Sequence, residues 1–192
     1  CCDHHMVEYR RRVGENVERS ELFPLIMRGK ASKYRDAWLD MGRDALLGLA
    51  KKIRARVDEV DPAVRVGVCA VMGTWDVDGV TALEITKALA GNTRPFLRTI
   101  GAPYWAAGSM RQRLEVIIGY TRLQRYWCEK ENVELFTEGD AYPRPRYHTP
   151  AAYLEMYDMA LRADGGFDGI LKYMMDYTAS PRYERGYIDR MA

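Results

Sequence analysis

A surplus of charge of one sign is missing from this chain of 192 residues: 29 Lys and Arg face 27 Asp and Glu, a formal net charge of +2. That balance excludes a strongly basic nucleic-acid surface and an acidic disordered tail as the organising theme. Long apolar runs are absent too, none approaching the roughly 18 residues of a membrane span, so neither nucleic acid nor membrane is an expected partner. The four cysteines have no framework-like spacing and give no basis for a disulfide scaffold. Cys69 and Cys128 sit in apolar or amphipathic stretches and read as reduced core residues. The opening Cys1-Cys2-Asp3-His4-His5 has neither the basic nor the apolar region of a signal peptide, and a cytoplasmic location is the expectation. The chain starts without an initiator methionine and ends within what reads as a helix, which suggests a piece of a longer protein.

Motif-borne chemistry is equally scarce. The chain contains no G-x-G-x-x-G, G-x-x-x-x-G-K-[ST], G-x-S-x-G or H-E-x-x-H, so no cofactor is expected. Gly165-Gly166 precedes a strand and is in the wrong context to cradle phosphate. There are three histidines, two of them among the first five residues. Cys1, Cys2, His4 and His5 are metal-ligating types, yet adjacent pairs do not converge easily on one tetrahedral centre and match no usual zinc spacing. A loop leading into a helix is the expected role there, with no metal site. His148 reads as a local hydrogen-bonding residue.

What the sequence does have is alternation. Trp38, Met41, Ala45, Leu49, Ile53, Val57 and Val60 recur in steps of three and four, one face of a helix over 32–60 that Asp61-Pro62 ends. Residues 64–72 follow as a short, apolar, β-branched strand, and 80–90 as a helix that stops at Gly91-Asn92. The pattern repeats with a strand over 94–100, a helix from Ser109 to about residue 130 and a strand over 133–137. A helix opened by Thr149-Pro150 runs to 162, a strand covers 168–175, and a last helix starts at 182. Two amphipathic pieces, 4–13 and 20–27, make residues 1–31 a helical lead-in. Strand starts near 64, 94, 133 and 168 have the spacing of a strand plus a crossover helix, and no hairpin signal occurs. The fold class is therefore α/β, built of parallel βα repeats in a single partial domain over 1–192.

Parallel strands open their carboxyl ends on one side of the sheet, and there the polar chemistry collects. Trp75, Asp76 and Asp78 follow the first strand. Arg98, Tyr104 and Trp105 lie at and after the second. Glu138, Asp140, Tyr142, Arg144 and Arg146 follow the third, and Asp176 and Tyr177 the fourth. Flat rings stack on the apolar face of a pyranose while carboxylates and arginines bind its hydroxyls, so a carbohydrate is the expected ligand. Packing of the same rings beneath loops is the plainer alternative.

Three stretches, 97–105 (LRTIGAPYW), 136–146 (FTEGDAYPRPR) and 169–177 (GILKYMMDY), resemble the catalytic barrel of clan A glycoside hydrolases, in particular the β-galactosidase-like members. The resemblance implies that the four strands are strands five to eight of a TIM (β/α)8 barrel, with residues 1–27 following strand four. It further implies a retaining glycosidase acting on oligo- or polysaccharides, with Glu138 at the nucleophile position ending strand seven. Its acid/base partner would end strand four, within an N-terminal half of the barrel that these residues do not include. The chain alone should then be inactive. Asp76, Arg98, Tyr104, Trp105, Asp140, Tyr142, Arg144, Arg146, Asp176 and Tyr177 would bind substrate or support Glu138, and Asp140, two residues away, leaves a swap of roles open. The chain falls short of the roughly 250 residues of a closed barrel, as half of one would. Two other readings stand beside it: a non-catalytic carbohydrate-binding barrel, and a complete open doubly wound parallel sheet.

Overall fold

The computed structural model describes residues 2–30, 32–71, 79–101, 114–139 and 151–172. They belong to two compact units, one formed by 1–66 with 72–93, the other by 67–71 with 94–192.

The first unit is helical. Helix α1 (Asp3–Val13) ends at Gly14, whose left-handed φ of 77° lets its N–H reach the Arg10 carbonyl, a stop that suits glycine. A 3-10 turn (Arg19–Glu21) leads into α2 (Leu22–Met27), and α3 (Lys33–Val60) follows. Pro24 is tolerated in α2 because first-turn N–H groups have no intrahelical partner. Met6 and Tyr9 of α1, Val17, Leu22 and Ile26 of α2, and Ala37 and Met41 of α3 form one apolar core. Tyr9 is wholly buried, donates its hydroxyl to the Tyr34 carbonyl at 3.0 Å and meets Trp38 edge-on. Helix α4 (Ala82–Ala90) opens on a capping box, with Thr81 Oγ1 accepting from the Glu84 N–H and the Glu84 carboxylate accepting from the Thr81 N–H.

The α3 face expected from periodicity holds only in part. In its second half Leu49, Ile53 and Val60 are exposed, while Ala50 and Arg54 are buried. Arg54 donates to the Val64 carbonyl at 2.7 Å and to that of Leu89 at 3.5 Å, and pairs with Asp58 at 2.6 Å. A guanidinium that satisfies a carbonyl of the segment after α3 and one in the last turn of α4 occupies the position next to the one periodicity would give an aliphatic side chain.

The second unit holds the sheet. Strands β1 (Val68–Cys69), β2 (Phe96–Arg98), β3 (Glu134–Gly139) and β4 (Gly169–Lys172) are all parallel, in the order β1-β2-β3-β4. The α/β class and parallel repeats expected from the sequence are thus present. Strand order follows chain order without reversal. Helices α5 (Leu114–Cys128) and α6 (Ala151–Asp164) connect β2 to β3 and β3 to β4. Ile117, Tyr157 and Leu161 pack together with Ile170 of β4, so both helices cover one face of the sheet. Leu97, Thr99, Leu135 and Thr137 are buried on that same face, at alternate positions of their strands.

Cys128 is buried as expected, but Cys69 is exposed, because its register with Arg98 puts it on the opposite face. Strand β1 is also shorter than the 64–72 expected, and β3 runs two residues further, through Gly139. The start of α5 near Ser109, the Thr149-Pro150 cap and the helix from 182 lie outside the described residues. Among the described residues, no helix is long and apolar enough to cross a membrane.

Candidate functional site

Register decides which side chains meet at the carboxyl end of the sheet. Arg98 is the last residue of β2 and pairs with Phe136 of β3. Side chains alternate along a strand, so Glu138, two residues past Phe136, points to the same face as Arg98. That face lies opposite α5 and α6. Arg98 Nη1 donates to Glu138 Oε1 at 2.5 Å, joining residues 40 apart in sequence.

Glu138 is 3% exposed and Arg98 partly buried, although the pair stands at a strand end where solvated loops normally begin. Taking a carboxylate and a guanidinium out of water costs several kcal/mol per ion, and their attraction often only offsets this. An apolar pair at the same positions would hold the strands together about as well. The contact fixes the Glu138 carboxylate against β2. Arg98 suits the task because its planar fork keeps both charge and orientation, which a flexible ammonium does not.

Beneath the pair the same face carries an apolar layer. Phe96 and Phe136 meet edge-to-face with centroids 6.2 Å apart. Gly67 and Gly169 flank them for a steric reason. A Cβ at Gly67 would fall on the Phe96 carbonyl oxygen and within 2.6 Å of its ring, and one at Gly169 would lie 3.0 Å from the Phe136 ring. Small residues on the outer strands thus make room for rings on the inner ones.

Gln124 of α5 holds the chain as it leaves β2. Its side chain is wholly buried, with Oε1 accepting from the Ile100 N–H at 3.0 Å and Nε2 donating to the Ile100 carbonyl at 2.6 Å. A side-chain amide so continues the ladder past the strand end, two residues beyond Arg98. Sequence reasoning passed over Gln124, although polar residues on the buried α5 face, Thr121 and Gln124 beside Ile117 and Cys128, carried the signal. At the other end of the sheet Asp168 does a similar job, its carboxylate accepting from the Leu135 N–H and its own N–H donating to the Leu135 carbonyl, both at 2.8 Å.

Of the residues expected at the site, the structure brings Glu138 and Arg98 together. Asp76, Tyr104, Trp105, Asp140, Tyr142, Arg144, Arg146, Asp176 and Tyr177 lie outside the described residues, as do Trp75, Asp78 and His148. Among the described residues, no group of three or more His, Cys, Asp or Glu could hold a metal ion. In comparisons with family models, curated proteins and solved structures, the chain found no match.

Proposed function

We propose that this chain is the nucleophile-bearing half of a retaining glycoside hydrolase, with Glu138 attacking the anomeric carbon of an oligo- or polysaccharide. The observation that carries the reading is the buried carboxylate of Glu138, held by Arg98 at the carboxyl end of adjacent parallel strands. Strand-end carboxylates on this side of a parallel sheet are where barrel enzymes keep their chemistry.

Strand order supports the barrel over the open doubly wound alternative. A doubly wound sheet reverses its strand order at a switch point and carries helices on both faces. Here the order is sequential among the four described strands, and α5 and α6 cover the same face. In a barrel the face opposite α5 and α6 becomes the interior, with Phe96 and Phe136 filling a layer below the ion pair.

A retaining mechanism needs two carboxyl groups about 5 to 5.5 Å apart, one to attack and one to protonate the leaving oxygen. Glu138 takes the first role: its oxygen forms the bond to the anomeric carbon as the bond to the leaving oxygen breaks. Arg98 orients the carboxylate through Oε1 and balances its charge before attack. The second carboxylic acid belongs to strand four of the barrel, outside these 192 residues. Asp76, Tyr104, Trp105, Asp140, Tyr142, Arg144, Arg146, Asp176 and Tyr177 keep their role as a sugar-binding rim within this reading.

The test is trapping. The complete polypeptide is incubated with a panel of 2-deoxy-2-fluoroglycosyl fluorides, digested and mapped by mass spectrometry. A glycosyl adduct on Glu138 is expected. An adduct on Asp140 would reassign the nucleophile. An adduct at any other residue, or none with any sugar of a panel that the protein binds, would reject the hydrolase in favour of a binding barrel. The isolated chain should not hydrolyse aryl glycosides, and turnover by it would contradict the divided site.

A further inference from the structure

In the helical unit, the amino terminus of α1 and the side of α3 border an open crevice of about 510 Å³. Trp38, Met41, Ala45 and Leu46 of α3 give it apolar walls, and Cys2 and His5 stand at its α1 edge. Cys2 Sγ lies 3.1 Å from His5 Nδ1, a separation at which imidazole can take the thiol proton. Cys2 is an exposed thiol at the N-cap position of an eleven-residue helix. A nucleophile, a base within reach of it and an adjoining apolar chamber are thus brought together by two helices.

We propose that Cys2, with His5 as its base, is a covalent modification site for α,β-unsaturated carbonyl compounds that carry an apolar arm. The thiol proton passes to His5 Nδ1. The sulfur lone pair forms the S–C bond at the β-carbon, and the C=C π pair moves toward the carbonyl as an enolate. His5 then returns the proton to the α-carbon, so the adduct contains every atom of both reactants and needs no oxidant or reductant. The apolar arm lies against Trp38, Met41 and Leu46, which adds recognition that a small electrophile lacks. The crevice is unrelated to the Arg98–Glu138 site, so this site and the glycosidase reading stand or fall separately.

N-alkylmaleimides belong to this chemical class and serve as the probe. The protein is treated with limiting N-ethylmaleimide or N-hexylmaleimide, and labelling of each cysteine is timed by peptide mapping. Cys2 is expected to react at least about tenfold faster than Cys69, the other exposed thiol. The hexyl reagent should raise that ratio by a further factor of about four, the worth of one buried methylene. His5→Asn should bring Cys2 down toward the Cys69 rate, and Ala45→Glu should remove the chain-length preference. Equal rates at Cys2 and Cys69 in the unmodified sequence would overturn the proposal whether or not the variants fold. So would faster labelling of Cys1 than of Cys2, or an unchanged Cys2 rate in His5→Asn.

Discussion

Glu8 and Glu138 are both carboxylates held by arginine, one in each unit, and they sit in opposite circumstances. Glu8 of α1 is partly exposed and accepts from Arg11 and Arg12, one turn ahead on the same helix. Glu138 is buried and accepts from an arginine on another strand, 40 residues away. The first pair forms wherever the helix forms, in water, and contributes little to stability. The second requires the sheet to be assembled in one register and loses its hydration in the process. Helical spacing accounts for the first contact, whereas the second joins residues 40 apart that only the sheet register brings together.

Substitutions can break that contrast in order of effect. In the complete polypeptide, Glu138→Gln should lower kcat for aryl glycosides by more than about a thousandfold, since an amide of the same shape cannot act as nucleophile. Retained activity would separate the buried carboxylate from the chemistry. Arg98→Met should follow, leaving Glu138 buried beside an apolar side chain and lowering unfolding free energy by about 3 kcal/mol in chemical denaturation. Gln124→Leu should cost about 1–3 kcal/mol, because the Ile100 N–H and carbonyl lose their partners in a buried place. If Gln124 positions the strand end, its variant should also lower kcat, an effect that general loosening of α5 would not confine to turnover.

The smallest effect belongs to Glu8. Hydrogen bonds from Arg11 and then Arg12 hold its carboxyl well below the ordinary 4.5, at about 2. A depressed folded-state value means that stability from this group is fully present above pH 4.5 and fades as pH falls toward 2. Glu8→Gln should therefore flatten the acid limb of the stability curve slightly over that window and leave neutral stability nearly unchanged. A steep acid limb that Glu8→Gln leaves intact would assign acid sensitivity to other carboxylates.

The same contrast shows what could be read from the residues. Apolar spacing placed α3 and α4 and located all four strands, although the face it implies for α3 is exposed at Leu49, Ile53 and Val60. Glu138 and Arg98 were legible as strand-end polar residues. Their contact was not, since it depends on the register in which Arg98 pairs with Phe136, and register is settled by the assembled sheet. The apolar stretch around Cys69 suggested a core residue, but its register with Arg98 puts it on the other face, where it is exposed. Arg54 and Gln124 were missed because a buried polar side chain looks out of place until the carbonyls it satisfies are known.

The central claim is that Arg98 and Glu138 are retained for chemistry at the expense of the fold, and replacing both tests it most directly. Denaturant unfolding of the Arg98→Met/Glu138→Leu double variant should give a stability within about 1 kcal/mol of the original or above it, with glycoside turnover by the complete polypeptide abolished. A double variant as unstable as Arg98→Met alone would contradict the claim and make the buried pair a structural clamp.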